Sequence, residues 1–125
     1  MKKQFKDKIV LVTGGTGSIG SEIVRQLLEN DARQVRVYSR DETKQFELTY
    51  RFQGNTRLRF LVGDIRDKER LRMGMEDADI VFHAAALKHV VSCELNPFEA
   101  VKTNVAGTQN VIECALANDI EKVVS

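Results

Sequence analysis

Gly14, Gly17 and Gly20 stand at three-residue spacing within Thr13-Gly14-Gly15-Thr16-Gly17-Ser18-Ile19-Gly20. They follow a short β-branched apolar run, Ile9 to Val12. They precede Ile19, Ile23, Val24, Leu27 and Leu28, which recur at helical spacing. Strand, glycine turn and helix in that order can hold a diphosphate. Gly14 lets the chain leave the strand sharply, Gly17 lets the diphosphate approach the backbone, and Gly20 lets helix and strand pack closely. The helix start aims free N–H groups and the positive end of its dipole at the same place. Thr16 and Ser18 add hydroxyl donors. A purely structural turn is the competing reading, but a strand before and a helix after are the context a dinucleotide motif demands.

Further polar or small clusters follow the later apolar runs. Ser39 and Arg40 come about 20 residues past the turn, where an adenosine ribose should lie. A hydroxyl and a planar guanidinium suit a 2′-phosphate, which favours NADP over NAD. Asp41 is one residue away and keeps the 2′-hydroxyl reading open. Asp64 can accept from an adenine amino group while Ile65 covers the ring; equally, Asp64 can cap the helix that follows. Ala84, Ala85 and Ala86 are small where backbone must pass close to a ribose and nicotinamide, or where strand packs on helix. Lys88 and His89 come next, in the part of the cleft where a substrate would sit, with Lys88 able to bind a cofactor hydroxyl or a substrate phosphate. His83 reads as a buried, hydrogen-bonded residue. With His89 and Cys93 it makes no tetrahedral set at zinc-like spacing, so no metal is expected. Asn104 is expected to bond a carbonyl or water near the site, since asparagine weakens a helix interior.

The elements that must position these residues alternate. Gln34 to Tyr38, Leu58 to Val62, Ala78 to His83 and Glu121 to Ser125 read as further strands, the last cut off at its end. Helices are expected from about Glu42 to Phe52, with Phe46 and Tyr50 four apart, around Leu71 and Met75, and over 97–117. The long helix starts at Asn96-Pro97 and carries an apolar stripe of Phe98, Val101, Val105, Thr108, Val111, Ile112, Ala115 and Leu116. Five strands alternating with helices predict an α/β, Rossmann-type doubly wound parallel sheet of order 3-2-1-4-5, stopping after strand 5. Ligands then sit beyond the carboxyl ends of the strands, where all these clusters fall.

The 125 residues make at most one domain. Apolar residues make up 42% and charged residues 30%, as in a soluble globular chain. A net charge of +1 leaves no footprint for nucleic acid or an anionic membrane. No apolar run has membrane-span length, and no signal-type core follows the basic start. Cys93 and Cys114 have aliphatic neighbours, consistent with a reduced, cytoplasmic protein.

Together, Thr13 to Gly20, Gly63-Asp64-Ile65-Arg66-Asp67, His83 to Ala86 and Thr103-Asn104-Val105-Ala106-Gly107-Thr108 resemble the extended short-chain dehydrogenase/reductase superfamily. Tyr38 to Glu42, Ala84 to Val90 and Glu94-Leu95-Asn96-Pro97 are more narrowly similar to its polysaccharide-biosynthesis branch, which contains the UDP-N-acetylglucosamine 4,6-dehydratases. The resemblance covers essentially the whole chain. It implies a tightly held NADP(H), oxidation at C4 of a nucleotide sugar, loss of water across C5 and C6, and return of the hydride to C6. It implies that Thr16, Gly17, Ser18 and Ile19 hold the diphosphate. Ser39, Arg40, Asp41, Glu42, Thr43 and Lys44 would surround the 2′-phosphate and ribose, Thr43 standing where many members carry a larger aliphatic residue. Asp64 and Ile65 would hold adenine, Ala84 would line the nicotinamide-side ribose, and Lys88 would touch cofactor or substrate.

The superfamily's proton chemistry needs a Tyr with a Lys four residues later. Tyr38 is followed at that distance by Glu42, and Tyr50 by Gly54. The chain is therefore expected to be the N-terminal, cofactor-binding part of a longer enzyme, inactive alone. A nucleotide-sugar 4-epimerase, which shares fold and C4 oxidation, and a stand-alone NADP-sensing module are the other two readings. In the superfamily the long helix helps form a dimer interface. Lys102, Gln109, Asn110 and Glu113 are expected to make its outer face fairly polar here.

Overall fold

The computed structural model describes residues 5–84 and 97–124. Its elements in chain order are β1 (Ile9–Thr13), α1 (Ser18–Glu29), β2 (Gln34–Ser39), α2 (Glu42–Arg51), β3 (Leu58–Val62), α3 (Lys68–Gly74), β4 (Ile80–His83), α4 (Pro97–Ala117) and β5 (Lys122–Val124). The strands form one parallel sheet in the order β3-β2-β1-β4-β5. Successive side chains of a strand point to opposite faces, so each strand feeds two cores. Val10, Val12, Val35, Val37 and Ile80 pack with Val24, Leu27 and Leu28 of α1 and Leu48 of α2. Leu11, Tyr38 and Val81 pack on the other face with Leu71 of α3 and Val111, Cys114 and Ala115 of α4. Helices on both faces bury β1 from Val10 to Thr13, which is why that strand reads as an unbroken apolar run.

One helix faces differently from its sequence pattern, and a second carries its aromatic pair outside. Among the described side chains of α4, Val111, Cys114 and Ala115 are buried, whereas Ile112 and Leu116 point outward at 49% and 75% exposure; the side chains of Phe98, Val101 and Val105 lie outside the described residues. Of the polar residues expected outside, Gln109 is exposed and the Lys102 side chain lies outside the described residues, but Asn110 and Glu113 face the neighbouring loop and helix. Asn110 Nδ2 donates to Ile65 O at 3.1 Å and to Arg66 O at 3.3 Å, and Glu113 pairs with Lys68 at the start of α3. Those polar anchors fix the rotation of α4 and leave two aliphatic side chains on the outside. On α2 the buried residues are Gln45 and Leu48, while Phe46 and Tyr50 stack edge to face on the exposed side.

Tyr38 is the largest fully buried side chain among the described residues. Its Oη donates to Asp64 O at 2.7 Å, joining the end of β2 to the turn after β3. Burial pushes its phenol up to about 12, so it stays a neutral donor. No described helix is long and apolar enough to cross a membrane.

Candidate functional site

The chain leaves β1 through Gly14, whose φ of 69° is a left-handed conformation that glycine adopts without strain. Gly14 N still donates to Tyr38 O at 2.9 Å, so the turn begins on the last rung of the β1–β2 ladder. Gly17 N donates to Gly14 O at 3.2 Å and closes the turn. Gly17 then N-caps α1 with extended backbone and without any side-chain cap, leaving the first N–H groups of the helix facing the turn. Gly20 lies one turn into α1, and a Cβ there would run into the Gly14 carbonyl oxygen. Gly15, which the three-residue spacing passes over, is also tightly placed, though less so: its Cβ would sit 2.8 Å from Val37 Cγ1. Ser18 and Ile19 are exposed on the first turn of α1.

Beside this turn, Thr16, Ser39, Arg40, Asp41, Glu42 and Lys44 line an open cleft of about 570 Å³. Thr16 Oγ1 and Ser39 Oγ stand 3.5 Å apart across it. Asp41 is the N-cap of α2 and accepts from Lys44 N at 3.0 Å, so its carboxylate is engaged by the helix. Glu42 follows in the first turn, where the helix dipole favours a negative charge. Thr43 is exposed on α2 outside the cleft wall.

Asp64 lies beyond the end of β3 and is gripped by Arg66. Arg66 N donates to Oδ1 at 2.9 Å, and its guanidinium donates at 3.1 Å to Oδ1 and 2.7 Å to Oδ2. Those bonds, against some desolvation, hold the carboxyl below the usual carboxylate range. Arg40 Nη1 is 3.8 Å from the same carboxylate, with its side chain 72% exposed. The helix-capping role considered for Asp64 falls instead to Asp67, which accepts from Arg70 N at 3.1 Å. Asp64 is three residues too early for it, and its oxygen closes a tight turn onto Arg66. Ile65 packs against α4, where a Cβ on Gly107 would strike its side chain. Ala84 is buried at the end of β4. Ala85, Ala86, Lys88, His89 and Cys93, together with the Asn104 side chain, lie outside the described residues.

His83 closes the sheet end. Its Nδ1 is 2.6 Å from Thr13 Oγ1 and its Nε2 is 3.3 Å from Thr108 Oγ1, so one ring ties β1, β4 and α4 together. Burial holds its pKa below the ordinary value. As pH falls below about 6.5 the unfolded chain takes up this proton before the folded one does, so stability is full above that pH and declines below it. Urea unfolding at pH 7.5 and 5.5 should show the midpoint falling in the native chain and falling less in His83→Gln; equal slopes would assign the loss to other groups.

Pattern reading assigned no individual site role to Gln45, Arg66 or Thr108. The sign for Gln45 is its spacing of three from Leu48, which puts an amide on a buried face; Arg66 and Thr108 stand in the motifs quoted above, but their partners appear only in the fold.

The model of the family described as polysaccharide biosynthesis protein matches residues 10–125. A Methanocaldococcus jannaschii protein described as an uncharacterized membrane protein is 54% identical over 97% of this chain. The inverting UDP-N-acetylglucosamine 4,6-dehydratase of Campylobacter jejuni is 48% identical over 97%, and the UDP-glucose 4-epimerase of Rickettsia canadensis is 43% identical over 96%. The chain spans 36% of the length of each of these relatives. Among solved structures, Pen from Bacillus thuringiensis superposes with a TM-score of 0.88 at 52% identity, over 95% of this chain and 36% of that one. DesIV from Streptomyces venezuelae, a dTDP-glucose 4,6-dehydratase solved with NAD bound, superposes at 0.79 and 34% identity, over 92% and 38%. The sheet order, the glycine turn and a family match running from β1 to the last residue agree, and the chain belongs to the polysaccharide biosynthesis protein family.

Proposed function

We propose that this chain is the NADP(H)-binding portion of a nucleotide-sugar 4,6-dehydratase of the UDP-N-acetylglucosamine class. The observation that carries the cofactor reading is the charge arrangement in the cleft. Arg40 and Lys44 line it, while Asp41 is bound to the N-terminus of α2 and Asp64 to Arg66. A 2′-phosphate fits these two cations, with Asp41 and Asp64 engaged elsewhere; Glu42 also lines the cleft, and a 2′-hydroxyl would call on it or on one of the other two. The start of α1 and the backbone of Gly14 to Ser18 would take the diphosphate, and Ile65 and Asp64 the adenine. Ala84 would lie along the second ribose, with Ala85, Ala86, Lys88 and His89 beyond it toward the sugar.

The chemistry a bound nicotinamide supplies is a hydride taken from C4 of the sugar and given back at C6. The chain's own part is to bind and orient. Gly20 keeps α1 close enough to the turn for its N–H groups to reach a diphosphate, and Ser39 and Arg40 hold the far end in register. The Tyr and Lys that move protons in this chemistry are not paired in these 125 residues, so residues 1–125 are proposed to bind without turnover. We place the protein in the cytoplasm on its cysteine pattern, and treat pairing of two copies through α4 as part of the same proposal.

Calorimetric titration tests the reading. NADPH should bind more tightly than NADH, and Arg40→Ala should weaken NADPH by about tenfold to a hundredfold, as expected for a charge-assisted bond, with little change for NADH. Equal binding of the two cofactors, or no response to Arg40→Ala, would overturn it. The 4-epimerase reading draws on the 43% identity to the Rickettsia enzyme. It is separated by incubating the full-length protein with UDP-N-acetylglucosamine, since only the dehydratase removes water from the sugar.

A further inference from the structure

Gln45 is 5% exposed, and its amide nitrogen sits among acceptors. Nε2 lies 3.1 Å from Leu61 O, 3.4 Å from Ser39 O and 3.3 Å from Ser39 Oγ. Two backbone carbonyls fix which way the amide faces, because an amide oxygen turned toward them would meet only other acceptors. Nε2 has two protons for these three acceptors, so Gln45 donates one to Leu61 O and shares the other between Ser39 O and Ser39 Oγ at the end of β2. Asp41 N is a second donor onto Ser39 Oγ, at 3.2 Å. Neither N–H can accept in return. A serine hydroxyl has two acceptor sites and one proton. With both acceptor sites engaged from the protein side, its proton is left for the open side. Ser39 and Thr16 both line the cleft that holds Arg40 and Lys44.

We infer that Gln45 is a specificity-setting positioning residue: it holds Ser39 as a hydrogen-bond donor to the cleft, so that this subsite takes a phosphate monoester in preference to a free ribose hydroxyl. A phosphate dianion offers acceptors only and matches an outward donor flanked by cations. A ribose hydroxyl must also place its own proton; Asp41 and Asp64 are already bonded, which leaves Glu42 as the acid of the cleft wall that could take it. The inference rests on the NADP reading and assigns part of its selectivity to a residue with no expected ligand contact.

The test is a double-mutant cycle on the 125-residue chain, using Gln45→Met, which conserves volume, and Ser39→Ala. Each variant is titrated with NADPH and with NADH after its melting curve shows a folded state. Each single change should weaken NADPH by about tenfold and NADH by less than about twofold, and the double variant should be no weaker for NADPH than either single one. Equal losses for both cofactors, or additive losses near a hundredfold, would overturn the inference and leave Gln45 as a bolt between α2 and the sheet. If Gln45→Met does not fold, Ser39→Ala alone decides: a loss confined to NADPH supports the donor role and an equal loss for both overturns it. A native chain that does not prefer NADPH overturns the cofactor reading itself, whatever the variants do.

Discussion

Gly20→Ala is expected to lower the unfolding free energy by about 3 kcal/mol and to abolish cofactor binding. Helix propensity alone gives the opposite sign, since alanine inside a helix is favoured over glycine by about 1 kcal/mol. Packing decides. The added methyl would overlap the Gly14 carbonyl oxygen and lie 2.7 Å from Gly15 Cα. Both are backbone atoms of a turn that is hydrogen-bonded to the sheet through Gly14 N, so neither can swing aside as a side chain would. Relief requires α1 to lift off the turn, which also withdraws its N–H groups from the place a diphosphate would occupy. Gly15→Ala is the internal control. Its methyl meets Val37 Cγ1 at 2.8 Å, a longer contact and one with a side chain rather than with the backbone of the turn, so a smaller loss is expected. Urea unfolding monitored by circular dichroism gives both values. A stabilised Gly20→Ala would mean that helix and turn can part at little cost, and the packing account would be wrong.

The same residues show what was legible beforehand. Strand alternation, the sheet order and the turn were readable because each depends on short-range pattern: apolar runs of strand length, glycines next to them, helical spacing after. The cleft was readable in outline, since Thr16, Ser39, Arg40 and Lys44 all follow strand ends and the fold brings strand ends together. What escaped depends on three-dimensional partners. Asp41 reads as a candidate ribose acid, and only the start of α2 shows its carboxylate committed to Lys44 N. Asp64 reads as an adenine acceptor or a cap, and the grip of Arg66 appears only once the turn is folded. Ile112 and Leu116 fit an apolar stripe by spacing, but a helix can be turned so that polar bonds win one face, and Asn110 and Glu113 do that here. Gln45 looks like a surface residue until Ser39 and Leu61 close over it.

Tyr38→Ala should cost about 3–5 kcal/mol, the range for truncating a large buried aromatic, and in its background the separate cost of Gly63→Ala should disappear. Counted as a proton-transfer candidate, Tyr38 fails, because Glu42 stands where the partner lysine belongs. Its structural position explains its presence better. The ring fills the second core, and Oη donates to Asp64 O at 2.7 Å. Gly63 exists beside it for lack of room: a Cβ there would be 2.5 Å from Tyr38 Oη and 2.6 Å from Cζ. Gly63→Ala in the native chain should therefore cost about 1–3 kcal/mol by overpacking. In the Tyr38→Ala background the same methyl enters the space the ring has left, so it should cost nothing or recover stability. The coupling measured by the cycle should thus be large and favourable, about 1–3 kcal/mol, against near zero for residues that do not touch. Tyr38→Phe separates the hydroxyl from the ring. It keeps the packing, should lose only about 1 kcal/mol, and frees the Asp64 backbone from its anchor. If adenine is held at Asp64, Tyr38→Phe should weaken NADPH and NADH equally, because both carry the same base. Arg40→Ala and Gln45→Met should discriminate between them. That contrast separates a residue that places the adenine end from residues that read the phosphate, on one set of titrations.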